Sequence, residues 1–148
     1  MTRIAEVRVA LHEREQPFVR VGRNHVFGVL TIVTTSGVES TVFVKDRAPA
    51  EIAVRILADY VRPQLIGRDA LDIEAIWQML WRQERSIGIG VIGAADVALW
   101  DIAGKVAGLP IHRLLGTARH SVPVYMSSWV HEHPEDYAAE AAHYAAQG

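Results

Sequence analysis

The sequence predicts an α+β protein: a three-stranded antiparallel sheet, then a helical bundle, then a single β/α unit. Three observations carry that prediction. Apolar residues alternate with polar ones over Arg3 to Leu11 and again over Val38 to Val44; after Pro49 the apolar repeat lengthens to three and four residues; and a short strand-like stretch returns at Ser121 to Ser127, ahead of an alanine-rich helix. A period of two fits a half-buried strand, a period near 3.6 fits one face of a helix, and strands followed by helices argue for segregated layers.

The first strand is expected over Arg3 to Leu11, where Ile4, Ala5, Val7, Val9 and Leu11 alternate mostly with Glu6, Arg8 and Ala10. Glu13 to Asn24 carries charges, Pro17 and Gly22 without a sustained period, so it reads as a long loop. Loops of that length in compact domains are commonly functional. A second β run follows from His25 to Thr35, Ser36-Gly37 supplies a tight-turn signal, and Val38 to Val44 alternates again, giving an antiparallel hairpin.

Ile52, Ala53, Ile56, Leu57, Tyr60 and Val61 then mark one face of a helix expected to end at Arg62-Pro63, because a residue before proline avoids the helical region. Asp72 is placed to cap a second helix whose buried face is Ile73, Ile76, Trp77, Leu80 and Trp81. Gly88, Gly90 and Gly93 interrupt the pattern, so the third helix is expected only from Ala94 to Val106, stopped by Gly108-Leu109-Pro110. A short helical piece from Ile111 to Leu115 ends at Gly116, the residue type favoured just past a helix C-terminus. Ser121 to Ser127 reads as a short strand, followed by a polar loop with Trp129, His131 and His133. Pro134, Glu135 and Asp136 suit the first turn of a helix running to Gln147, with Gly148 as its C-terminal cap.

Composition narrows the function. With 148 residues, half of them apolar, the chain can bury a core, and a net charge of −2 with both signs scattered gives no basic stripe for nucleic acid or an anionic membrane. The absence of cysteine excludes disulfides, thiolate metal sites and cysteine nucleophiles. No leader-like segment opens the sequence and no run of about 18 uncharged apolar residues follows, so a cytoplasmic protein without nucleic-acid or membrane partners is expected.

One segment is far more specific than a lone glycine motif. From Ala94 to Gly116 the chain reads A-A-D-V-A-L-W-D-I-A-G-K-V-A-G-L-P-I-H-R-L-L-G. Read residue by residue it is mostly structural: Ala94, Ala95, Ala98, Ala103 and Gly104 allow close helix packing, while Leu99, Trp100 and Ile102 fill core. Asp96 and Asp101, on an apolar helix, are expected to be hydrogen-bonded to a nearby amide or arginine, because buried charges are paired. The segment resembles the helix and turn that end the capping domain of the enolase superfamily, in its mandelate racemase and muconate lactonizing enzyme branch. The β-β-β-α order before it and the Val122-Pro-Val-Tyr strand after it fall where that family has its cap and its first barrel strand, so the resemblance covers nearly the whole chain.

The resemblance implies an enolase-like N-terminal capping domain over residues 1–120 and, over 121–148, the first strand and helix of a truncated (β/α)8 TIM barrel. It also implies a lyase or isomerase that abstracts the proton next to a carboxylate, of the acid-sugar or hydroxy-acid dehydratase, racemase or cycloisomerase type. Mg2+ would hold the developing charge, a lysine or histidine would take the proton, and the full-length enzyme would be a homo-oligomer. In the family the metal ligands are carboxylates on later barrel strands and a Lys-x-Lys motif lies on the second. This chain has only Lys45 and Lys105, so no catalytic and no metal-binding residue is assigned in it. A closed barrel needs about 250 residues. The chain alone is therefore expected to be inactive and to bind no metal; the alternative is a stand-alone binding module or the remnant of a truncated gene.

For a small carboxylate substrate the resemblance offers the loop from Glu13 to Asn24, which in the family folds over the barrel mouth. Its polar candidates are Arg20, Arg23, Asn24 and the adjoining His25. Ser127, at the end of the first barrel strand, matches a family serine near the substrate carboxylate, and Trp129 lies on the same rim. His131 and His133 are expected to be solvent-exposed rather than metal ligands, and Val38 to Lys45 departs from the family's glycine-rich end of the third strand.

Overall fold

In the computed structural model the described residues are 2–14, 25–44, 49–128 and 130–147. They fall into two compact units: Met1–Arg14 with His25–Thr117 form the first, and Ala118–Gly148 belong to the second.

The first unit is built on a sheet of β1 (Ile4–Arg14), β2 (His25–Thr34) and β3 (Glu39–Val44), antiparallel throughout and in that order. Val7 faces Ile32 across the first pair and Leu30 faces Val42 across the second. Ile4, Val7, Leu30, Ile32 and Val44 point into the core, as the alternation predicts. The Ser36-Gly37 turn forms as expected: Gly37 adopts φ 81°, Thr34 N–H donates to Val38 O at 2.9 Å, and Val38 N–H donates to Thr34 Oγ1 at 3.1 Å. β1 runs three residues past its expected end. His12 pairs with Phe27, their rings stacked 5.6 Å apart, and Arg14 pairs with His25. The polar run His12–Arg14 gives no apolar alternation to read, but a cross-strand partner satisfies its backbone and keeps it extended.

Two helical boundaries and one cap also differ from expectation, the boundaries because packing outweighs a local signal. The first helix does not stop at Arg62. α1 (Ala50–Ile56) widens into a π-helical turn (Leu57–Val61), and α2 (Arg62–Leu65) continues through Pro63. Pro63 stands in the first turn of α2, where a missing N–H costs little, while Leu57, Val61 and Leu65 are fully buried. Gly67, at φ 81°, then turns the chain back and donates its N–H to Ile4 O at 2.8 Å. α3 (Ile73–Trp81) starts where predicted, but the Asp72 side chain makes no capping bond. Asp69 is the residue whose carboxylate accepts a backbone N–H, from Leu71 at 3.1 Å.

After α4 (Glu84–Ile87), α5 (Ile89–Ala107) begins five residues earlier than the glycines suggest. Only Gly88, at φ 82°, breaks the chain; Gly90 and Gly93 lie inside the helix. A helical glycine costs about 1 kcal/mol against alanine. Burying Val91 and Ile92, both essentially inaccessible, returns more, at about 1.5–3 kcal/mol per side chain. Ala94, Ala95, Ala98 and Gly104 are buried where α5 packs against β3, β2 and α3. Gly108, left-handed at φ 65°, ends the helix, and Leu109 N–H returns to Gly104 O at 2.9 Å. α6 (Ile111–Leu114) follows and stops at Gly116, φ 88°.

In the second unit α7 (Pro134–Ala145) forms as predicted, two residues shorter, with Pro134, Glu135 and Asp136 in its first turn. The expected strand Ser121–Ser127 is not realised as a ladder: among the described residues it pairs with no other strand, and Val124 and Tyr125 are 90% and 91% exposed. Its strand-like residues give a preference for extended backbone, but a strand becomes part of a sheet only through the hydrogen bonds of a neighbour.

Candidate functional site

Arg20, Arg23, Asn24 and Trp129 lie outside the described residues. His25 opens β2 opposite Arg14, with its backbone alone described. Ser127 is exposed at the end of the extended segment, immediately before a polar cluster that the sequence reading did not single out.

That cluster joins the 128–131 loop to α7. Ser128 Oγ donates to Glu140 Oε2 at 2.5 Å, and His131 Nε2 lies 2.8 Å from the same oxygen. The His131 ring packs edge-on against Tyr137 at 4.8 Å, His131 N–H donates to the Tyr137 hydroxyl at 3.0 Å, and that hydroxyl donates back to His131 O at 3.3 Å. The His131 and Glu140 side chains are only 20% and 14% exposed, so the expectation of a solvent-exposed His131 is corrected. His133, by contrast, is exposed, and its side chain makes no capping bond to α7. The reading missed Tyr137 and Glu140, although their three-residue spacing places both on one helical face. Nothing local indicates which loop residue meets that face.

The cluster borders a cleft of about 780 Å³ that is also lined by Val124, Tyr125, Met126 and Tyr144. Chemically it is a clamp. The Glu140 carboxylate takes the Ser128 hydroxyl and the His131 imidazole on one oxygen and so holds both to α7. Among the described residues no three His, Asp or Glu side chains converge to hold a metal. The carboxylate set that magnesium requires is thus not formed by them, and no step through the ion is assigned to these residues.

The motif carboxylates divide. Asp101 is paired, by lysine rather than by an amide or arginine: Lys105 Nζ donates to Asp101 Oδ2 at 2.6 Å and to Glu39 O at 2.8 Å, tying α5 to the start of β3. Burial alone would raise this carboxyl, but the hydrogen bond and charge of Lys105, with the nearby Ser40 hydroxyl, hold it below its usual range. Ser40 Oγ is buried without a partner of full hydrogen-bond geometry and acts on Asp101 only by proximity.

Asp96 departs from expectation. Among the described residues it has no hydrogen bond or ion pair, and it lines an apolar groove of about 710 Å³ with Glu74, Trp77, Trp100, Val106 and Leu114. Burial, then repulsion from Glu74, raise its carboxyl. A carboxylate whose folded pKa is raised destabilises the fold once it ionises: stability is greatest below the unfolded value near pH ~4 and declines as pH rises through the folded one. Asp96→Asn is therefore expected to raise the melting temperature at pH 7 and to leave it unchanged at pH 3. Thermal melts at the two pH values measure this, and equal shifts at both would contradict the assignment.

A D-mannonate dehydratase of Caulobacter vibrioides, CC0532, is 42% identical over 132 residues, covering 86% of this chain and 32% of the relative. An enolase-superfamily member from Polaromonas sp. JS666 superposes with a TM-score of 0.84 at 26% identity, over 99% of this chain and 42% of that one. A mandelate racemase/muconate lactonizing protein from Paracoccus denitrificans PD1222, solved with magnesium, shares the fold at 24% identity and TM-score 0.65, over 78% of this chain and 31% of that one. The chain thus spans about a third of the curated relative's length. No helix among the described residues is long and apolar enough to cross a membrane. The family described as "Mandelate racemase / muconate lactonizing enzyme, N-terminal domain" matches residues 2–116, most of the chain, and the chain belongs to that family within the enolase superfamily.

Proposed function

We propose that this chain is the substrate-selecting cap, with the first β/α unit, of a magnesium-dependent dehydratase acting on an acid sugar of the mannonate class. The observation that carries the reading is the 42% identity to a D-mannonate dehydratase over 132 residues. Loss of water from such a substrate begins with removal of the proton beside the carboxylate, and magnesium bound to that carboxylate would stabilise the resulting enolate. The described residues supply neither the base nor the ion's ligands; their contribution is to shape and close the mouth of the site. Arg20, Arg23, Asn24 and His25 are proposed to contact substrate from the cap. Ser127 and Trp129 would contact it from the rim, beside the loop that Ser128, His131 and Glu140 hold to α7. A cytoplasmic location belongs to the same proposal.

A chimera tests this. Residues 2–116 of this chain would replace the matching part of the Caulobacter dehydratase, and dehydration of D-mannonate would be followed with magnesium present. Activity within about a hundredfold of the parent kcat/KM is expected, a loss of under about 3 kcal/mol in transition-state stabilisation. Asn24→Ala in the chimera should raise KM more than it lowers kcat. A chimera that folds, by circular dichroism, yet turns over neither mannonate nor any related sugar acid would overturn the reading.

A further inference from the structure

Ser127 stands at the junction of two unlike segments. Before it, Ser121 to Ser127 pairs with no strand among the described residues; after it, the 128–131 loop is tied to α7 at both ends. An ionised carboxylate only accepts hydrogen bonds, so the Ser128 hydroxyl and the Nε2–H of His131 both donate to Glu140 Oε2, at 2.5 and 2.8 Å. Tyr137, three residues before Glu140 on α7, brackets the His131 backbone: its hydroxyl accepts from the His131 N–H at 3.0 Å and donates to the His131 carbonyl at 3.3 Å. Glu140, 14% exposed, is more sheltered than His131, and bonds to a charged acceptor are roughly twice as strong as neutral ones. Val130, inside the loop, is 93% exposed, so its burial does not anchor the loop and these polar bonds do.

We infer that Glu140 is a positioning residue for substrate: through Ser128 it fixes the backbone that presents Ser127, so that the Ser127 hydroxyl is in place before the sugar acid's carboxylate arrives. The inference rests on the dehydratase reading for what Ser127 contacts. A loop held in place beforehand binds without first having to be ordered, and one in place only a fraction of the time weakens apparent affinity by that fraction. Glu140 itself touches no substrate. Loosening it therefore acts on binding and leaves the chemical step alone.

Two measurements test this. In the 148-residue chain, Glu140→Gln keeps the side chain's shape but leaves one uncharged oxygen for two donors. Amide exchange at His131, read by NMR, should quicken about fivefold or more, while that of Leu99 in the core stays unchanged. Tyr137→Phe should act in the same direction. In a chimera carrying residues 2–147 in place of the matching part of the Caulobacter dehydratase, Glu140→Gln should raise KM for D-mannonate about tenfold with kcat within about twofold. Ser127→Ala should do likewise, and adding it to Glu140→Gln should change little more, because the two act through one contact. A His131 amide indifferent to Glu140→Gln overturns the positioning role by itself, whatever the chimera does. So does an active chimera in which Glu140→Gln leaves KM unchanged or lowers kcat alone, or in which the two losses multiply. An unsubstituted chimera that folds, by circular dichroism, yet turns over no sugar acid fells the dehydratase reading and, with it, the substrate role given to Ser127.

Discussion

Leu99→Ala is expected to destabilise the first unit by about 2–5 kcal/mol, the range for truncating a buried leucine whose surroundings relax only in part. Leu99 is 1% exposed near the middle of α5, the helix that packs against β2, β3 and α3, and it belongs to the same buried cluster as Leu30, Leu57 and Leu80. Removing three carbons there loses apolar burial and leaves a void that sheet and helices cannot fill without shifting each other. Urea unfolding followed by tryptophan fluorescence reads the change directly. A loss below about 1 kcal/mol would mean that α5 is not the centre of the core.

Gly104→Val is expected to cost about 3 kcal/mol by the opposite mechanism, overpacking. A Cβ at Gly104 would lie 2.8 Å from the backbone carbonyl oxygen of Leu109 and 3.6 Å from Ile111 Cγ1. The Leu109 carbonyl cannot swing away, because Leu109 N–H is bonded to Gly104 O at 2.9 Å and Gly108 holds the turn in the left-handed region. Gly104→Ala makes the same clash but gains about 1 kcal/mol of helix propensity, so it should fall between Gly104→Val and the parent. Gly93 provides the control on the same helix: a Cβ there meets nothing within 4 Å, and Gly93→Ala should be neutral or stabilising by up to about 1 kcal/mol. If Gly93→Ala and Gly104→Ala destabilise equally in urea titrations, the close approach at Gly104 is not what the glycine is for.

This contrast explains why the Ala94 to Gly116 segment identified the family while saying little about chemistry. Gly104 admits the returning turn, Lys105 ties α5 to β3 through Glu39, and Gly108 and Gly116 take the left-handed conformations that end their helices. Those at Gly104, Gly108 and Gly116 are packing requirements set by close neighbours in sequence, and a pattern of residue types can record them, whereas the Lys105 contact spans 66 residues. The candidate substrate contacts were legible only as positions on a family pattern, since Arg20, Arg23, Asn24 and Trp129 fall outside the described residues.

The sequence by itself determined the three-stranded sheet, its Ser36-Gly37 turn, the burial of Ile76 and Leu80 in α3 and of Leu99 and Ile102 in α5, and the start of α7 at Pro134, while Trp81, expected on the buried face, is 46% exposed and Trp100, expected in the core, lines a groove. Each rests on periodicity or on turn chemistry confined to a few adjacent residues. Only the tertiary structure decided that α2 continues through Pro63, that α5 absorbs Gly90 and Gly93, that His131 leaves solvent for Glu140, and that Asp96 has no counterpart among the described residues. The physical reason is one of scale. A local preference is worth about 1 kcal/mol or less, whereas burying a few large side chains is worth several, and burial depends on neighbours distant in sequence. A lone aspartate on a helix reads the same whether or not an arginine waits across the groove, and three-dimensional packing shows that among the described residues of this chain none does.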